Sequence, residues 1–165
     1  MNCKDKILSP NALSDWRNQW RKAGRRLVVT NGCFDLLHAG HVTYLEAARN
    51  EGDALLVGVN SDDTVRGLKG PGRPVNSEAD RALVLAALQS VDGVFVFREK
   101  DAVEFLKRVQ PDIYVKGGDY TLDTINQDER RLIEASGGKV VLIGHVPGKS
   151  TTGLLKKMSQ DGCES

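Results

Sequence analysis

Two histidines, His38 and His41, stand three positions apart in the string TNGCFDLLHAGH (residues 30–41), and the whole chain holds only three. On a helix, that spacing puts both imidazoles on one side. Gly40 lies between them and removes the side chain that would keep a phosphate from the backbone. A helix beginning here adds free N–H groups and the positive end of its dipole. The chemistry on offer is two imidazole donors and a helix end aimed at one anionic centre. Gly32 permits the tight turn leading there. The same residues suit two other readings. The pair can be ordinary core or surface histidines, or it can bind zinc with Asp35 as third ligand. No cysteine or second carboxylate cluster at ligand spacing supports the zinc site.

Three further stretches carry groups that suit phosphates or ribose. GHVPGKSTTG (residues 144–153) has the look of a phosphate-binding loop, but the Walker pattern needs four residues between its glycines, and Gly144 and Gly148 have three. Ser150, Thr151 and Thr152 nevertheless place three hydroxyls at a helix start beside Lys149. One hydroxyl suffices for an N-cap; three in a row allow a phosphate site as well. RGLKGPGRPVN (residues 66–76) holds Lys69 and Arg73, with Arg81 shortly after; two cations in a Gly/Pro-rich loop suit a second phosphate, and such a loop is a candidate lid. VKGGDY (residues 115–120) pairs twin glycines with Asp119, which suits ribose hydroxyls or a plain turn cap. No Ser-His-Asp or Cys-His arrangement is apparent. A reaction needing neither covalent nucleophile nor strong base fits, and nucleotidyl transfer to an anionic phosphate monoester is one.

The elements positioning these stretches follow from the apolar pattern. Strands are predicted over residues 26–30, 54–60, 93–97, 112–116 and 139–143. Helices are predicted over 11–23, 40–50, 77–89, 101–109, 127–135 and 150–158, with a short helical turn at 61–65 and a loop over 66–76. On helix 40–50, Val42, Leu45 and Ala48 are expected inward; on 77–89, Leu83, Leu85, Ala86 and Leu88. Strands alternating with helices predict an α/β fold, a parallel sheet with helices on both faces. Its ligands bind beyond the carboxyl ends of the strands, near a topological switch.

Composition sets the outer limits. The chain has 165 residues, 23 basic against 22 acidic, and 40% apolar. That suits one domain with a substantial core and gives no bulk reason to bind nucleic acid or an anionic membrane. The expected division is an N-terminal helical extension (1–24), a catalytic domain (25–160) and a tail (161–165). No apolar run approaches a membrane span, and the polar start has no signal-peptide core. Cys3, Cys33 and Cys163 are scattered and read as free thiols, so a cytoplasmic setting is expected.

HAGH at 38–41, within NGCFDLLHAGH, resembles the HxGH signature of the nucleotidylyltransferase superfamily and its cytidylyltransferase-like branch. Ser150-Thr151-Thr152 resembles that branch's second signature. Residues 68–92 and VKGGDY are similar to D-glycero-β-D-manno-heptose 1-phosphate adenylyltransferases. The resemblance covers roughly residues 25–158. It implies a Rossmann-like five-stranded fold and transfer of AMP from ATP to heptose 1-phosphate, giving ADP-heptose and pyrophosphate for surface-glycan precursors. It implies catalytic roles for His38, His41, Lys69, Ser150 and Thr151. The nucleotide would lie on Asn31, Gly32, Cys33, Phe34, Asp35, Gly40, Arg81, Lys116, Gly118, Asp119 and Thr152, with Asp35 either orienting the loop or assisting the metal, and the acceptor phosphate on Lys69 and Arg73. Magnesium would travel mainly with the ATP phosphates, no metal being fixed by the protein. Some relatives fuse this domain to a sugar kinase; here a separate upstream kinase is expected. Homodimers occur in the family, and Trp16, Trp20 and residues 77–89 suit a dimer interface or the core. Many cytidylyltransferases carry Thr where this chain has Cys33, so a hydroxyl contact is lost there. The alternatives are a cytidylyltransferase acting on a polyol phosphate such as glycerol 3-phosphate, and a non-catalytic nucleotide-binding module.

Overall fold

The computed structural model describes residues 2–118, 120–144 and 150–161. Asp119, Lys149 and Cys163 lie outside the described residues.

Five short apolar runs form the strands: β1 (Leu27–Gly32), β2 (Ala54–Asn60), β3 (Gly93–Phe97), β4 (Ile113–Gly117) and β5 (Lys139–Ile143). They make one parallel sheet in the order β3-β2-β1-β4-β5. Helices cover both faces: α1 (Pro10–Lys22), α2 (Ala39–Asn50), α3 (Asp62–Lys69), α4 (Glu78–Ala86), α5 (Val103–Val109), α6 (Gln127–Ala135) and α7 (Thr151–Asp161). Side chains alternate along each strand and build two cores. On one face Val28, Leu55, Val57 and Val115 meet Leu45 and Ala48 of α2 and Ala82, Leu85 and Ala86 of α4. On the other, Val29, Leu56 and Tyr114 meet Leu13 of α1, Phe105 and Leu106 of α5 and Ile133 of α6. The chain runs outward from β1 to β3 and then returns to place β4 on the other side of β1. That reversal is the switch point where α/β folds bind ligands.

Several elements differ from expectation for identifiable reasons. The segment after β2 does not become loop at residue 66; α3 runs on to Lys69. Ser61 Oγ caps it, accepting from Thr64 N at 3.3 Å, and Asp62 and Asp63 sit at its positive end. Arg66 pairs with Asp63, one turn before it, at 2.7 Å, and Gly70 (φ +90°) ends the helix. On α2, Val42 is an exposed residue, and Tyr44 turns toward the sheet instead. On α4 the buried positions are Arg81, Ala82, Leu85 and Ala86.

Residues 2–24, the expected N-terminal helical extension, pack onto the sheet domain. Ile7 bridges to Val94 of β3, and Lys6 Nζ donates to Leu88 O and Val91 O. Arg17 of α1, itself 3% exposed, donates to Val109 O and lies 3.0 Å from Asp112. Asp112 in turn accepts from Leu27 N at 2.7 Å, so α1 is locked onto the start of β1. Trp16 and Trp20 pack edge to face on the same core. Of the features that suited a dimer interface or the core, Leu85 and Ala86 are buried in one core and Trp16 and Trp20 pack, partly buried, against the other. Among the described residues, no helix is long and apolar enough to cross a membrane.

Candidate active site

β1 ends in a backbone turn that delivers the histidines. Phe34 adopts a left-handed conformation (φ 47°), unusual for an aromatic residue, and is held there by burial. Its ring covers Gly32; a Cβ at that position would sit 3.1 Å from Phe34 Cε2. His38 then occupies the N-cap position of α2 in extended conformation, and His41 N donates to His38 O at 2.9 Å. The two imidazoles stack with centroids 3.9 Å apart and planes 28° apart. The Phe34 ring lies 5.5 Å from that of His41. The spacing of three thus does what a helix start dictates: both rings emerge on one side, over the first N–H groups of α2.

Tyr44, one turn further along α2, anchors the helix to the sheet. Its hydroxyl donates to Val115 O at 3.2 Å, so in the 2.6 Å contact with Thr30 the threonine is the donor. Burial pushes the Tyr44 hydroxyl up to about 12, despite the opposing Thr30 hydrogen bond. The ring lies flat against Gly117 at the end of β4, where any Cβ would overlap it. Gly117→Ala is therefore expected to destabilise the protein by about 1–3 kcal/mol, the usual cost of overpacking. Urea unfolding of the variant checks this.

Above the strand ends lies a cavity of about 680 Å³. It gathers His38, Gly40 and His41 from α2, residues 31–35 from the β1 turn, and Lys69 and Arg73 from α3 and the loop after it. Lys116 and Gly118 at the end of β4 and Ser150, Thr151 and Thr152 at the start of α7 join them; of the expected set, Arg81 does not line the cavity and Asp119 lies outside the described residues. Segments far apart in sequence meet directly: Thr151 Oγ1 donates to Leu36 O at 3.1 Å. That bond spends the Thr151 proton. Ser150 Oγ accepts from Gly153 N at 3.0 Å, so the serine keeps its own proton for a ligand.

Arg73 and Arg81 do other work than expected, while Asp35 takes the loop-orienting role, one of the two left open for it. Asp35 is buried and accepts from Arg73 Nε at 2.6 Å, Val75 N at 2.8 Å and Asn76 N at 3.0 Å. Burial alone would raise its carboxyl; the hydrogen bonds from Asn76 and Val75, with Arg73, outweigh this and hold it below the usual carboxylate range. Asp35 is thereby committed to fastening the loop after α3 and is not open to serve as a third zinc ligand. Arg73 lines the cavity with its charge already met by Asp35. Arg81 is not among the lining residues. Its guanidinium is buried, donates to Cys33 O at 2.6 Å and Asn76 O at 3.1 Å, and pairs with Asp62 at 2.8 Å. It braces the phosphate-side loops from behind. The Cys33 thiol, facing the cavity, is pushed up by burial against the pull of Lys69, Arg81 and Arg73.

The cavity also has a wall that motif reading did not find. Tyr44, Asn60, Lys100, Asp101, Tyr120, Asn126 and Glu129 belong to it. Glu129 in the first turn of α6 is 4% exposed and lies 3.4 Å from Lys116 Nζ. Its signal was available: Glu129 sits four residues before Ile133, on the buried side of α6. Among the described residues, no group of three or more His, Cys, Asp or Glu converges to hold a metal ion. His38, His41, Lys69 and Ser150 give the cavity lining cationic and hydrogen-donating groups of the kind that suit phosphate oxygens.

A parallel sheet with stacked imidazoles and hydroxyl-bearing helix ends at its switch point defines a phosphate-binding α/β protein. The cytidylyltransferase-like family matches residues 29–153, and the chain belongs to that family. It is 50% identical over 155 residues to "Bifunctional protein HldE" of Methylobacillus flagellatus, covering 94% of this chain and 31% of the relative. The HldE of Mesorhizobium japonicum gives the same identity and coverage. The chain thus spans about a third of the length of the curated relatives it matches. Among solved structures, the lipopolysaccharide core biosynthesis protein of Thermoplasma volcanium aligns with TM-score 0.62 and 30% identity, over 74% of this chain and 98% of that one. Pantoate-beta-alanine ligase of Francisella tularensis shares the fold at TM-score 0.56 and 16% identity, over 84% of this chain and 66% of that one.

Proposed function

We propose that this protein transfers AMP from ATP to D-glycero-β-D-manno-heptose 1-phosphate, releasing pyrophosphate and forming ADP-heptose. The observation that carries the reading is convergence: stacked His38 and His41, Lys69 and Ser150 face one cavity at the switch point. Identity of 50% to HldE across 94% of this chain supports the acceptor. An oxygen of the sugar phosphate attacks the α-phosphorus of ATP in line, and the bond to the pyrophosphate oxygen breaks opposite it. The attacking group is already anionic, so no general base is needed. His38, His41 and the N–H groups at the start of α2 donate to the α-phosphoryl oxygens as negative charge builds there. Lys69, in no ion pair among the described residues, meets charge on the reacting phosphates. Ser150 and Thr152 hold the pyrophosphate end at α7. Magnesium supplies charge neutralisation on the triphosphate when bound. The acceptor needs an anomeric phosphate, so a sugar kinase supplies the substrate, and the cytoplasm, where ATP is made, is the setting.

The family's description favours a second reading, CTP with a polyol phosphate. Incubation with each triphosphate and each acceptor, with pyrophosphate measured, separates the two. ATP with the heptose 1-phosphate is expected to be the fastest pair. Faster turnover of CTP with glycerol 3-phosphate overturns the proposal, and binding without any turnover returns the chain to a non-catalytic module.

A further inference from the structure

The cavity is divided by charge. Its phosphate side lies on the sheet face that carries α2, where the histidines and Tyr44 stand. Its other side opens over the opposite face, among α5 and α6, and there the wall is a buried carboxylate. Asn126 caps α6, its Oδ1 accepting from Asp128 N at 2.9 Å and Glu129 N at 3.3 Å, which fixes the first turn. Glu129 Oε1 accepts from Ala102 N at 3.0 Å, and Oε2 accepts from the Tyr114 hydroxyl at 2.8 Å. The Tyr114 oxygen also lies 2.6 Å from Asn31 Oδ1, and Lys116 Nζ donates to that same Asn31 oxygen at 3.2 Å. Tyr114 has one hydroxyl hydrogen, so it serves one of the two acceptors at a time. Each Glu129 oxygen accepts one hydrogen bond here and keeps a further lone pair, and Lys116, 3.4 Å from Oε2, has a third hydrogen beyond those facing Asn31 and the carboxylate.

Lys116 at 3.4 Å balances the Glu129 carboxylate, so this wall offers a phosphate no net positive charge. The group lying against Glu129 is therefore neutral, and it brings O–H donors for the carboxylate and lone pairs for Lys116. A hydroxyl-bearing ring does both. Direction selects which ring. In the proposed reaction the pyrophosphate leaves toward α7 and the acceptor enters in line from the other side, and Glu129 stands on the wall formed by α6 rather than α7. We propose that Glu129, held in place by Tyr114 and Lys116, is a specificity-determining residue that accepts a hydrogen bond from a ring hydroxyl of the acceptor sugar. This assigns Lys116 to the acceptor end, whereas motif reading set it with the nucleotide. The proposal rests on the transfer reaction proposed above.

Glu129→Gln in the full chain tests it, with the hydroxylated acceptor phosphate that the wild type turns over fastest, so that the identity of the sugar and the role of the carboxylate fail separately. Removing a charge-assisted hydrogen bond is expected to raise KM for the acceptor about 10- to 100-fold and to leave KM for ATP within about twofold. A set of deoxy acceptors adds a readout that a purely structural role would not move. The wild type discriminates against one deoxy position, and Glu129→Gln loses that discrimination. Tyr114→Phe keeps the carboxylate but removes its hydroxyl donor. It is expected to raise the acceptor KM by a smaller factor, and it carries the test if the glutamine variant fails to fold. A rise confined to KM for ATP overturns the proposal in favour of a ribose contact. A fall in thermal midpoint with both KM values and the deoxy pattern unchanged overturns it in favour of a structural carboxylate.

Discussion

His41→Ala is expected to lower kcat by about 10²- to 10³-fold, with KM for ATP changed by no more than a few-fold. The ring stacks on His38 at 3.9 Å and lines the same cavity as Ser150 and Lys69, where the proposed reaction puts the α-phosphoryl oxygens. A donor aimed at charge that develops only during reaction affects kcat far more than ground-state binding. His38→Ala is expected to behave alike, and the double variant to lose less than the product of the two, since each ring orients the other. Steady-state kinetics of the variants, with circular dichroism to confirm folding, measures this. A kcat within twofold of wild type would remove His41 from the chemistry.

The second large effect is on stability. Asp35→Ala removes the one carboxylate that satisfies Arg73 and the amides of Val75 and Asn76 together. Breaking a buried pair by deleting one partner strands the other, and a cost of about 3–5 kcal/mol is expected. Arg73, Lys69 and the loop between them then lose their fixed position, so KM rises along with the loss of stability. The pH dependence has a definite sign. The folded-state carboxyl is held below its ordinary value, so its contribution is full above the unfolded value of about 3.9 and is lost as pH falls through the lower folded value. The stability difference between wild type and Asp35→Asn is expected to be constant from pH 7 to about 5 and to shrink below about 4. Urea unfolding across that range checks both the size and the slope. A difference that grows on acidification contradicts the assignment.

Much of this molecule was legible because apolar runs and turn residues agree locally with the final fold. Strands β2, β3 and β5 and helix α6 fall where periodicity puts them. The histidine turn was legible because the spacing itself dictates a shared side. What escaped has a common cause. Arg81 and Glu129 are charged residues placed four positions before a buried apolar one, Leu85 and Ile133. Composition marks such residues as solvated, whereas helical phase marks them as inward, and phase wins when partners await inside: Asp62 for the arginine, Tyr114 and Lys116 for the glutamate. The course of α3 was hidden by the glycines within and after it. A capping serine, acidic residues at the helix start and one ion pair outweigh the propensity cost of Gly67.

The hydrogen bond from Thr151 to Leu36 joins positions 115 residues apart. No stretch shorter than residues 36–151 contains both partners of this contact. The five strands of the sheet all lie before residue 144, so a chain cut before α7 can complete its sheet while one side of the cavity is missing. The cavity therefore closes in one step, when α7 docks, rather than by degrees.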